Sequence, residues 1–260
     1  MVEHDVRQIE SAMKAGSMVI RLYDRSSIIR LVNGQFQTEE WEGKSTLERQ
    51  RELLLWKSNL SRGLMTNLDN HKMMSHISKG WSRDSSDQAT RIRSPWISST
   101  QSFEWAVWET TRRLVDNRES TVRTSLIDTS DLRDVIHVKP IPYLMGHVQY
   151  PDYARAVRLA RWASEVLFYG RIPRHKIVDT LEWTHEFAPL TLPEHFFITS
   201  PGEFDPEDWL DNLVWQPGVH KFGETLYFLR RRAGELQREE DEDSGESSDE
   251  SNGTEEERGV

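Results

Sequence analysis

Five short runs of β-forming residues, set irregularly among amphipathic helical stretches, constrain this 260-residue chain more than any other feature. They are Met18–Asp24, Trp96–Thr100, Val122–Asp128, Glu165–Tyr169 and Ile177–Trp183. Their aliphatic, β-branched and aromatic residues suit a half-buried pleated surface. Helices separate some of these runs but not all. Without strict strand–helix alternation the pattern reads as α+β rather than a doubly wound parallel sheet.

The helical stretches follow from spacing. Val6, Ile9 and Met13 recur at helical intervals before Gly16 stops the turn. Ser45-Thr-Leu-Glu48 is a capping box, in which the Ser caps the third amide and the Glu reaches back, and it opens a helix to about Leu60. Phe103, Ala106, Val107, Thr110 and Leu114 form one face of a second strong helix. Pro151 suits the first turn of a helix carrying Tyr153, Ala156, Val157 and Ala160. Residues 66–93 are polar and poorly periodic and read as a long loop, a kind of segment that is often functional. Beyond Glu186 the chain is Pro-rich, with helices expected at Glu207–Leu213 and Thr225–Arg232.

Charge divides the chain further. From Gln237 to Val260 there are eleven acids and two Arg, which carry −9 of the total −10. This segment has almost nothing apolar to set against the entropy of ordering, so a disordered acidic tail is expected over residues 237–260. Such a tail can serve solubility or dock a basic partner, the latter strengthened by phosphorylation of Ser247 or Ser248. The nearly neutral remainder gives no reason to expect broad nucleic-acid binding. Although only 36% of residues are hydrophobic, ten Trp and nine Phe supply a core, each burying roughly 150–250 Å². The absence of cysteine excludes disulfides, thiolate metal sites and cysteine nucleophiles. The charged start has no apolar h-region, and no run nears 18 apolar residues. The expectation is an intracellular protein, cytoplasmic or nuclear, that makes no membrane contact. No His/acid spacing typical of a metal site and no Gly-rich phosphate loop is present, so no metal is expected.

Three segments carry the candidate chemistry. Arg21 sits between Ile20 and Leu22 in an otherwise apolar run and needs a partner there. Phosphate suits it, because the guanidinium fork matches phosphate bidentately. Ser98-Ser-Thr100 offers more hydroxyls than a helix cap requires, and Trp96 lies beside it. Glu165 begins an apolar strand, a position that usually faces solvent.

In order, Ile20-Arg-Leu-Tyr-Asp24, Ser94-Pro-Trp-Ile-Ser-Ser-Thr100 and Ser164-Glu-Val-Leu-Phe-Tyr-Gly-Arg-Ile-Pro173 resemble the Arg…Ser-Thr-Ser…Glu signature of the ADP-ribosyltransferase superfamily. The likeness is to the catalytic subunits of the pertussis- and cholera-toxin class and to a family of fungal domains with that signature. The spacing of Glu165, Arg171-Ile-Pro173 and Ile177 is its most specific part. The resemblance implies a split β-sandwich with flanking helices over residues 1–185. A Pro-rich and helical extension over 186–236 and the acidic tail would follow. It further implies NAD as substrate, cleaved at the nicotinamide–ribose bond with ADP-ribose passed to an acceptor, a protein for instance, or to water. By the same resemblance Glu165 and Ser98 are the catalytic pair, and Arg21, His76, Ser99, Thr100 and Trp96 contact NAD, with His71 competing for the role of His76. Ala163 stands where arginine-modifying members carry a second Glu, so transfer to arginine is not implied. A non-catalytic interaction module on the same fold, with the acidic tail as its contact device, is the alternative.

Overall fold

The computed structural model describes residues 5–27, 29–62, 76, 95–116, 120–131, 137–138 and 154–245. In chain order the strands are β1 (Met18–Tyr23), β2 (Leu31–Val32), β3 (Gln35–Gln37), β4 (Trp96–Thr100), β5 (Val122–Asp128), β6 (His137–Val138), β7 (Glu165–Tyr169), β8 (Arg171–Ile172) and β9 (Ile177–Trp183). The helices are α1 (Val6–Lys14), α2 (Glu39–Glu42), α3 (Thr46–Arg62), α4 (Phe103–Asp116), α5 (Ala154–Trp162) and α6 (Phe222–Gly245). The fold is α+β. A six-stranded antiparallel sheet runs β6-β7-β4-β1-β5-β9, and a three-stranded one runs β2-β3-β8.

Strand alternation assigns the two faces of the large sheet. Val19, Tyr23, Ile97, Ile127, Val166 and Phe168 pack against Phe36 and Ile172 of the small sheet. On the other face Ile20 and Leu126 join Val6, Ile9 and Met13 of α1 and Phe103, Ala106, Val107 and Leu114 of α4. Leu190, Phe196, Trp209, Leu213, Trp215 and Leu229 belong to that same core, so the Pro-rich extension is packed against the body.

The chain passes from the large sheet to the small one at Gly170, where φ is 76°. Its amide donates to Pro95 at 2.7 Å, and its carbonyl accepts from Thr38 at 2.9 Å. The Trp41 ring fills the place of a side chain, since a Cβ on Gly170 would lie 2.3 Å from it.

The five sequence-read strands occur where the β-forming runs lie, as do the helices opened by Val6, Ser45 and Phe103. The capping box is formed, with the Ser45 amide donating to Glu48 Oε2 at 2.8 Å and the Glu48 amide to Ser45 Oγ at 3.3 Å. Strands β2, β3, β6 and β8, each two or three residues long, went unread because such short runs show no periodicity.

Two expectations require correction. The stretch 207–213 is not a helix beyond a single 3₁₀ turn at Pro206–Asp208. Its last backbone groups pair across the chain instead: the Ile198 amide donates to the Asn212 carbonyl at 2.8 Å and the Val214 amide to the Phe196 carbonyl at 2.9 Å. Helix α6 runs from Phe222 to Gly245, so the first nine residues assigned to a disordered tail are helical. Good helix formers and the Arg231–Glu235 pair at 2.9 Å extend the helix from its packed start into the acidic run. Residues 246–260, residues 66–75 and 77–93 of the long loop, and His71 lie outside the described residues.

Candidate functional site

Strand β1 registers with β5 along its length, from Met18↔Asp128 to Tyr23↔Arg123, but with β4 only at Ile20↔Thr100. Where that second ladder ends, the β4 carbonyls need other donors. Arg21 supplies one: its Nη1 donates to the Ser98 carbonyl at 2.5 Å, and its Nη2 to the Ile29 carbonyl at 2.9 Å. The guanidinium carbon lies 5.0 Å from the centre of the Phe36 ring, a cation–π arrangement that offsets part of the cost of burial. Arg21 is 7% exposed, and its Nε has no hydrogen-bond partner among the described residues. Burial first, then the neighbouring Arg113 cation, pushes its pKa down to about 9, which leaves it charged at neutral pH.

Ser98 is held from a second direction. Its hydroxyl lies 3.0 Å from His76 Nε2, so Arg21, Ser98 and His76 form one contact chain. Burial, with Arg21 beside it, pushes His76 down to about 4, so the imidazole is neutral at physiological pH. A neutral ring pairs with a hydroxyl as either donor or acceptor.

Glu165 enters from the third strand. In the β4–β7 ladder Thr100 lies opposite Glu165 and Ser98 opposite Leu167. Side chains directly opposite share a face, so Ser98, Thr100 and Glu165 lie on one side of the sheet. Arg21 leaves β1 on the other side, with Val19 and Tyr23, and meets Ser98 through its backbone. The three strands are adjacent, which confines the motif to two strand spacings, roughly 10 Å. Glu165 is 1% exposed, against the usual exposure of a carboxylate at a strand start.

The remaining sequence-read residues have structural settings. The Thr100 hydroxyl donates to the Ala163 carbonyl and accepts from the Ser102 amide at 3.0 Å, clipping the turn before Glu165 to the start of α4. Ser102 caps α4 by accepting from the Trp105 amide at 3.1 Å. Ser99 is buried, and its Oγ has no partner among the described residues. Trp96 is buried edge-on against Tyr169, with centroids 5.1 Å apart, and offers no open stacking face.

A buried ion network supports the site and was not read from sequence. Asp24, three residues after Arg21, accepts from the Ser26 amide at 2.9 Å and from Arg113 Nη1 at 2.9 Å. Burial works to raise the Asp24 pKa, but Arg113 and the Ser26 and Ser27 hydroxyls outweigh it and hold the carboxyl below its ordinary range. Glu109 binds Arg112 and Arg113 at 2.8 Å each, an i, i+3 and i, i+4 fork whose spacing was a usable signal. The network fixes the turn that delivers the Ile29 carbonyl to Arg21. Phe36 and Ile29 carried no signal, since only the folded chain brings them to Arg21.

Among the described residues no group of three or more His, Asp or Glu is placed to hold a metal ion. No helix among them is long and apolar enough to cross a membrane. Residues 53–186, just over half the chain, match the family described as a domain of unknown function, DUF7587, and the chain belongs to that family. The matched segment holds His76, Ser98 and Glu165 and begins after Arg21. No curated protein and no solved structure matches the chain.

Proposed function

We propose that this DUF7587 member binds NAD and cleaves its nicotinamide–ribose bond, passing ADP-ribose to an acceptor or to water. One observation carries the reading: Ser98 is held at its carbonyl by Arg21 and at its hydroxyl by His76, while Glu165 sits on the adjoining strand on the same face. In the reaction the C1′–N bond breaks and nicotinamide leaves with the electron pair. The sugar acquires oxocarbenium character, and the acceptor oxygen or nitrogen forms the new bond at C1′. A fixed carboxylate stabilises such a sugar, as in glycoside cleavage, and Glu165 fills that role. Ser98 and the neutral His76 orient ribose hydroxyls, and Arg21, on the other side of the sheet with both Nη groups on carbonyls, holds Ser98 in place and contributes positive charge only at a distance. Incubating the full chain with labelled NAD and measuring free nicotinamide tests the reading. Release above that of a Glu165→Gln control supports it, and no release defeats catalysis.

One observation favours a second reading. Both Nη groups of Arg21 already serve backbone carbonyls, so the fork that would grip phosphate is engaged inside the fold. On that reading Arg21 ties the sheets together and the domain is an interaction module without turnover. Absence of NAD binding by calorimetry selects it.

A further inference from the structure

We propose that a separate ligand site lies in the cleft between α1, the start of α4, the α5–β7 turn and α6, and that it takes a nucleoside monophosphate group, a planar base carrying one phosphate. The cleft measures about 320 Å³ and is lined by Lys14, Arg161, Arg230, Glu10, Glu104 and Trp162, among others. Its volume falls at the lower end of the roughly 300–1,000 Å³ usual for small-molecule sites. The inference does not depend on NAD cleavage.

The charges specify the ligand. Arg161 closes α5 and Arg230 lies on α6; both are exposed, and neither makes an ion pair or side-chain hydrogen bond with a described residue. They contrast with Arg112 and Arg113, which are paired with Glu109, Asp116 and Asp24. Two open guanidinium forks on helices lining the same cleft match a phosphate dianion, which accepts bidentate, charge-assisted bonds. Besides these two arginines the cleft holds Lys14, paired with Glu10, and two carboxylates. Glu10 is only half-buried and lies 3.9 Å from Lys14, and Glu104 accepts from the Ser102 hydroxyl at 3.0 Å. Burial and the nearby Glu104 raise the Glu10 pKa despite Lys14, as expected for carboxylates that lack enough donors. An exocyclic amine on a base supplies such donors.

The wall suits a planar group. Trp162 is half-buried in the cleft, braced by Phe222 with centroids 6.2 Å apart and by Arg158 with its guanidinium carbon 5.6 Å from the ring centre. A heterocycle gains stacking energy on such a ring. The floor is fixed: the Gln101 amide donates to the Ser164 carbonyl at 3.2 Å, and Ser164 is held at φ 44°.

Calorimetric titration of the full chain with adenosine 5′-monophosphate, and with adenosine alone, tests the proposal. The monophosphate binds, and adenosine binds much more weakly. The double variant R161A/R230A, which removes two exposed side chains, keeps its melting temperature and loses about tenfold or more in affinity, as loss of charge-assisted bonds requires. The proposal is overturned by no binding to the wild-type chain or by unchanged affinity in R161A/R230A. It is equally overturned if binding is lost in H76Q and kept in R161A/R230A, which assigns the nucleotide to the Ser98 site instead.

Discussion

Acidification gives a quantitative test of the Ser98 cluster through His76. Its pKa of about 4 lies below the ordinary 6.5, because burial and Arg21 oppose the imidazolium. A depressed pKa means that the unfolded chain binds the proton more tightly. Stability is therefore complete above pH 6.5 and is lost as the pH falls towards 4. At about 1.4 kcal/mol per unit, the full separation corresponds to about 3 kcal/mol, of which about 2 kcal/mol has gone by pH 5. Asp24 and Glu109 have pKa values held low by their Arg partners and lose stability in the same direction at lower pH, so a difference measurement is needed. His76→Gln removes the titration yet keeps an amide that reaches the Ser98 hydroxyl. Urea unfolding of both proteins from pH 7.5 to 4.5 should show the wild-type advantage shrinking by about 2 kcal/mol between pH 7 and pH 5. Parallel stability curves would mean that His76 is not buried beside Ser98 near the Arg21 cation, and the cluster described above would be wrong.

Three further outcomes follow from the packing and the site. Gly170→Ala places a methyl against the Trp41 ring in a backbone with φ 76°, so urea unfolding should report a loss of about 2–4 kcal/mol. Glu109→Ala leaves two largely buried arginines without their shared carboxylate, and the same assay should show a loss of about 3 kcal/mol or more. Arg21→Met removes the cation beside His76 as well as two bonds to carbonyls, so the His76 pKa should rise towards its ordinary value in an NMR titration if the variant folds.

The legible part of this fold is the part with period. Strands of five to seven residues and helices with a repeating apolar face announced themselves, and they build the large sheet and its covering helices. The small sheet did not, because two- and three-residue strands are stabilised by long-range pairing such as Phe36↔Ile172. Helix α6 outran its expected end because net charge argues about solubility, whereas a docked helix extends by local propensity. In the site, Arg21, Ser98 and His76 were legible as residue types in order, and the fold places them in contact. What Arg21 touches was not legible. An arginine inside an apolar strand announces a need for acceptors, but whether these are phosphate oxygens or the carbonyls of Ser98 and Ile29 depends on where the β1–β4 ladder ends.

The role of Glu165 is tested most directly by nicotinamide release from NAD by wild-type protein and by Glu165→Gln, with NAD affinity measured on both. Gln keeps the shape of the side chain but removes the negative charge, so binding should be nearly unchanged. Release should fall by about 10²–10³, the usual effect of losing one preorganised electrostatic stabiliser. Equal release by the two proteins, or no NAD binding by the wild-type chain, would contradict the account.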